Sequence, residues 1–155
     1  MSTARFTNGV AIVAGGSGGI GAAICRALAA SGSAIAFSYF RNQARAEALV
    51  QKVETTGARI SAIQVDLNDD AAVTRFVNNA SDTFGGVHTA IYAAGPYINM
   101  RHISRIDAAM FRATLQTDIF GCYHLLHAAL PHLRRSKGVI AAIVTPALRR
   151  YAVKD

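Results

Sequence analysis

Val10–Gly21, VAIVAGGSGGIG, decides how the rest of this 155-residue sequence is read. The apolar run from Val10 to Ala14 has the length and composition of a buried strand. Gly15, Gly16, Gly18, Gly19 and Gly21 follow almost at once. A helical pattern then begins, with Ile20, Ala23, Ile24, Ala27 and Leu28 at helical spacing. A strand, a glycine turn and a helix together let a phosphate pair lie against the N–H groups of the helix start, where the dipole also favours negative charge. A Cβ in that turn would hold the phosphates away, and some turn positions need positive φ.

The same alternation continues. Strands are expected at Ala34–Tyr39, Ile60–Val65, Thr89–Ala93 and Gly138–Val144. Helices are expected at Gly19–Ala30, at Gln43–Thr56 with Ala46, Leu49, Val50 and Val53 on one face, and from an Asn68 or Asp69 cap with a Val73, Phe76, Val77, Ala80, Phe84 stripe. A long helical region, about 107–135, contains Pro131, where a kink or a loosened final turn is expected. Strands alternating with helices imply right-handed crossovers and a parallel sheet.

Hydrophobic residues make up 52% of the chain and charged residues 16%, which suits one globular α/β domain and argues against disorder. No apolar run is long enough to span a bilayer. Cys25 and Cys122 form neither a disulfide framework nor a zinc spacing, so they read as buried thiols in a reducing cytoplasm. His124 and His127 share a helix face near Cys122 and His132, but no third ligand or HExxH spacing accompanies them, and no metal is expected. The net charge is +7, concentrated at Arg134, Arg135, Lys137, Arg149, Arg150 and Lys154. That end favours an anionic partner, such as a phosphorylated cofactor or an acidic carrier protein. Without basic stretches interleaved with aromatics, nucleic-acid binding is not expected.

Gly15-x-x-x-Gly19-Ile20-Gly21 resembles the glycine turn of the classical short-chain dehydrogenase/reductase family, and the order of elements is similar to that family as far as strand five. The resemblance implies a Rossmann-type, doubly wound parallel sheet, five strands in this chain. Residues 1–155 then form a single NAD(P)-binding domain, truncated at its C-terminal side, in a homo-oligomer. Gly15, Ser17, Gly18, Gly19, Ile20 and Gly21 would hold the pyrophosphate. Val65-Asp66-Leu67 is similar to the pair that contacts adenine at Asp66 and Leu67, although Asp66 also suits a turn or cap. Ala93-Ala94-Gly95 resembles the family's Asn-Asn-Ala-Gly segment beside the adenine ribose, with Tyr92 and Ala93 standing where that pattern has asparagines.

Strand two ends Ser38-Tyr39-Phe40-Arg41-Asn42, where an NAD-preferring protein usually places an acid on the ribose. No acid is present. Arg41, beside Tyr39, can pair a 2′-phosphate through its planar donors, which favours NADP over NAD. The alternative is that Arg41 only opens a surface helix.

The resemblance also implies oxidoreductase chemistry on a small carbonyl or secondary alcohol, with a ketoacyl thioester as one option. In the family a Tyr acts as the acid/base and a Lys four residues later lowers its pKa. A Ser orients the substrate oxygen, and an Asn supports a proton relay. Thr145 takes the Ser position. Asp118, in Thr117-Asp118-Ile119-Phe120-Gly121, takes the Asn position and loses the amide donor. Tyr151 and Lys154 are three residues apart, not four, so a binding protein without turnover is the second reading. An exposed edge at strand five and an apolar face bearing Ile119, Tyr123, Leu126 and Leu130 are expected.

Overall fold

A computed structural model of the chain describes residues 8–95 and 102–144. Five strands, β1 (Val10–Ala14), β2 (Ala34–Tyr39), β3 (Ile60–Gln64), β4 (Val87–Tyr92) and β5 (Val139–Ala142), form one sheet in the order β3-β2-β1-β4-β5. Every pairing is parallel. The chain is thus an α/β fold with a doubly wound, Rossmann-type sheet. Its winding reverses between β1 and β4, which makes the carboxyl ends of those strands the switch point where such sheets bind ligands.

The layers follow from the strand composition. β1 is wholly buried, as a strand covered on both faces must be. Val10, Ile12 and Ala14 face one side with Ala90 and Tyr92, packed under α3 (Asp70–Phe84) and α5 (Gly121–Ser136). Val13, Ile35, Phe37 and Ile91 face the other side, under α1 (Gly19–Ala30) and α2 (Gln43–Glu54). The expected stripes of α2 and α3 are the buried ones, with Val50 and Phe84 at their rims. The α1 face differs. Gly21, Cys25 and Ala29 are buried and Ile20 is 59% exposed, because the small residues let the helix lie close to the sheet.

The long helical region is interrupted, but not at Pro131, through which α5 runs on to Ser136. α4 (Ala108–Leu115) instead passes into a π-helical turn, Gln116–Phe120, before α5 begins. Phe111, Ile119, Phe120 and Tyr123 are each more than half exposed along this region. β5 is exposed along its length. Cys25 is buried, with its thiol pushed up to about 12 by desolvation, and Cys122 is half-buried. Among the described residues no helix is long and apolar enough to cross a membrane, and no three His, Cys, Asp or Glu side chains gather as metal ligands.

His88 is a buried polar residue near the start of β4. Its Nε2 meets Ser33 Oγ at 3.2 Å and its Nδ1 meets Thr89 Oγ1 at 2.9 Å. Burial depresses its pKa below 6.5. The unfolded chain therefore takes up a proton that the native one refuses, and stability falls as pH drops below that value. His132, depressed by burial and by Arg135, acts with the same sign. Urea unfolding between about pH 8 and about pH 5 should show the midpoint falling on the acid side, with a shallower slope in His88→Gln. A flat wild-type profile would contradict this account of His88.

Candidate functional site

A cleft of about 540 Å³ opens at the carboxyl ends of β1 to β4. Its floor is the turn after β1, which is tied to both neighbouring strands. The Gly15 N–H donates to Ser38 Oγ (3.3 Å) and the Gly16 N–H donates to the Ser38 carbonyl (3.0 Å). On the other side, the Ala93 N–H donates to the Ala14 carbonyl (3.0 Å). Gly15 has φ +78°, and a Cβ there would lie 2.7 Å from Ala94 Cα. Both facts demand glycine.

The helix behind the turn presents open donors. α2, α3 and α4 are capped by the side chains of Asn42, Asp69 and Asp107. α1 starts at Gly18 with no side-chain cap and no acid in its first turn. The N–H groups of that turn lack helical acceptors and carry the positive end of the dipole, which suits an anionic group in the cleft.

The cleft gathers ten of the residues singled out from the sequence. Gly15, Ser17 and Gly18 form the floor, Tyr39 and Arg41 follow β2, Asp66 and Leu67 follow β3, and Ala93, Ala94 and Gly95 follow β4. Gly19, Ile20 and Gly21 do not line it. A Cβ on Gly19 would meet nothing, and Ile20 faces solvent. Gly21 is buried against the Gly15 carbonyl, so its absent side chain brings helix and turn together. Gly16 has the same role against Phe37.

At the β2 end, the Arg41 guanidinium lies over the Phe40 ring, 5.1 Å from its centroid. Gln64 Nε2 donates to the Phe40 carbonyl (2.8 Å), and Asn42 Oδ1 accepts from the Arg45 N–H (3.0 Å). Asp66 makes a turn: Oδ1 accepts from both the backbone N–H and Nδ2 of Asn68, at 2.9 and 3.0 Å. Thr117, from the π-turn, also lines the cleft. It opens the motif that carries Asp118 but has no role of its own in the sequence reading, because its place depends on the irregular turn. Asp118 is half-buried beside the cleft. A Cβ on Gly95 would stand 3.7 Å from its Oδ1, and burial raises the Asp118 pKa above the usual aspartate value. Thr145, Tyr151 and Lys154 lie outside the described residues.

His124 Nδ1 donates to the Leu67 carbonyl (2.8 Å), and His127 stacks on Tyr123. The basic residues Arg134, Arg135 and Lys137 sit at the C-terminal end of α5, where Ser136 Oγ donates to the carbonyl of Val87, the first residue of β4. That is the amino end of the sheet, opposite the cleft.

A family model described as short chain dehydrogenase matches residues 9–151. L-fucose dehydrogenase of Mus musculus is 33% identical over 90% of this chain and 49% of its own length. A short-chain dehydrogenase/reductase from Serratia marcescens superposes with a TM-score of 0.87 at 31% identity, over 94% of this chain and 58% of that one. A short chain dehydrogenase from Burkholderia cenocepacia, solved in complex with NADP, gives 0.85 at 31% identity, over 95% and 60%. The chain spans about half the length of the curated relatives it matches. With the glycine turn at the sheet's switch point and a family match over nearly the whole sequence, the chain belongs to the short-chain dehydrogenase/reductase family of oxidoreductases.

Proposed function

We propose that this chain is the NADP-binding part of an oxidoreductase that interconverts a small carbonyl and a secondary alcohol. The observation that carries the cofactor reading is the β2 end of the cleft. It holds Arg41 stacked on Phe40 and no carboxylate between Ser38 and Asn42. A carboxylate there would bind ribose hydroxyls and repel a 2′-phosphate, whereas a guanidinium pairs with the phosphate. The solved relative in complex with NADP supports the same choice.

In this reading the α1 donors and the turn of Gly15, Ser17 and Gly18 hold the pyrophosphate, with Gly19, Ile20 and Gly21 supplying the first helical turn. Asp66 and Leu67 border the adenine, and Ala93, Ala94 and Gly95 let the ribose approach the backbone. The bound nicotinamide supplies hydride transfer. Asp118 holds a proton-accepting oxygen beside Gly95, and Thr145 orients the substrate oxygen. The second reading, nucleotide binding without turnover, is favoured by the three-residue spacing of Tyr151 and Lys154 and by Asp118 in place of an amide. The apolar face of Phe111, Ile119, Phe120 and Tyr123 would pack against a second copy. The basic end of α5 lies away from the cleft and lends no support to a carrier docking at the reaction centre.

Titration with NADPH and NADH, followed by nicotinamide fluorescence, tests the reading. Arg41→Ala should weaken NADPH about tenfold or more, as loss of a charge-assisted bond implies, and leave NADH within about twofold. Equal losses for both would remove the 2′-phosphate role. Gly21→Ala should behave differently. Its Cβ meets the Gly15 carbonyl and lies 2.9 Å from Gly16 Cα, both backbone atoms, so the whole turn must move. NADPH and NADH should weaken together, and a variant that binds both like the wild type would show that the turn does not hold the phosphates.

A further inference from the structure

Tyr92 closes β4, is 5% exposed, and reaches out of the sheet layer to the helices above it. Its Oη donates to the Thr117 carbonyl at 2.9 Å. Thr117 lies in the π-turn, and the phenol ties the carbonyl of that turn to the end of β4. Burial, together with Asp118 and Cys122 nearby, lifts the Tyr92 pKa well above its ordinary value, so the hydroxyl keeps its proton and remains a donor.

The turn is located from the other side by Gly121, its first helical successor. A Cβ at Gly121 would stand 3.2 Å from Tyr92 Oη and 3.1 Å from Leu67 Cβ, tighter than ordinary contact. One turn further along, His124 fastens α5 to the Leu67 carbonyl. α4, which leads into the turn, buries no residue. The position of the turn therefore depends on what lies beneath and after it, namely Tyr92, Leu67 and Gly121.

We propose that Tyr92 is a positioning residue of the dinucleotide site: its hydrogen bond to the Thr117 carbonyl holds the π-turn so that Thr117 walls the cleft and Asp118 stands beside Gly95. This rests on the dinucleotide reading given above. Thr117 and Asp118 are consecutive, so one tie sets both. Tyr92 itself touches neither cofactor nor substrate; it acts through the turn. Among the described residues, Tyr92 on β4 and Cys122 on α5 are the titratable groups that interact with Asp118.

Tyr92→Phe removes the hydroxyl and keeps the ring. Gly121→Ala disturbs the same contact from the opposite side, by pushing on Tyr92 Oη. In the full 155-residue chain, carboxyl NMR of Asp118 should show its titration midpoint falling toward that of an ordinary aspartate in both variants, as the turn opens to water. Amide hydrogen exchange at residues 116–121 should quicken about fivefold or more, while β1 and β4 keep their protection. NADPH should bind about three- to tenfold more weakly, and the double variant should lose less than the sum of the two. A role confined to global stability would quicken exchange everywhere and leave the Asp118 midpoint in place. If Tyr92→Phe leaves both the midpoint and the exchange of 116–121 at wild-type values, the positioning role is overturned while the dinucleotide reading stands. If the wild-type chain itself binds no NADPH, the dinucleotide reading is overturned and the positioning role goes with it.

Discussion

The cleft depends on how closely the end of β1 approaches the strands on either side of it. The turn that follows is only a few residues long, yet it bonds to Ser38 on one side, while Ala14 accepts from Ala93 on the other. Gly15 stands between them with positive φ and no room for a side chain against Ala94. Two of these ties, Gly16 to the Ser38 carbonyl and Ala93 to Ala14, join backbone groups of an all-parallel sheet and form once the strand register is set; the third goes to the Ser38 hydroxyl. A rigid floor of outward-facing N–H groups then exists before any ligand arrives, which is the preorganisation an anion site needs.

The β2 end shows the same economy of parts. The bend Phe40-Arg41-Asn42 caps α2 through Asn42, is pinned to β3 by Gln64, and carries the guanidinium on the face of Phe40. A flexible arginine is thereby held by its neighbours, and less of its side-chain entropy remains to be lost on pairing. Asp66 is similarly occupied: the carboxylate that resembles an adenine contact also builds its own turn with Asn68.

Most of the architecture was legible because buried parallel strands and amphipathic helices leave strong periodic traces. β2, α1 and the buried stripe of α3 are examples. The expected α1 face holds for Ile24 and Leu28, which pack at the rim of the core, but not for Ile20, Ala23 and Ala27, which are exposed, while Gly21, Cys25 and Ala29 are buried, since glycine and alanine carry little hydrophobic signal even where they pack closest. The π-turn left no trace either. It widens one helical turn, and the apolar spacing on both sides still fits a single continuous helix. Thr117 carries no role in the sequence for that reason, and Tyr92, which stands where the family pattern has an asparagine, gives no sign of its bond to that turn. Pro131, where a kink or a loosened final turn is expected, does not end the helix: α5 runs on through it, with Leu125, Ala129 and Leu133 buried on either side. The cap of α3 was legible as Asn68 or Asp69, and Asp69 is the one whose side chain accepts from the Ala72 N–H.

β5 carries a different consequence. Among the described residues it pairs only with β4, and Val139 and Ile140 are 47% and 43% exposed. Its four residues, VIAA, include no lysine, proline or bulge of the kind that keeps sheet borders from recruiting strangers. The outer row of amides and carbonyls is a template, and its apolar side chains reward whatever joins it. A hairpin cannot supply a parallel neighbour, because only an antiparallel strand can follow a tight turn. Parallel extension must come through a long crossover or from another molecule. Whether this sheet grows usefully or aggregates is then a race between those two arrivals, and chain concentration sets the odds.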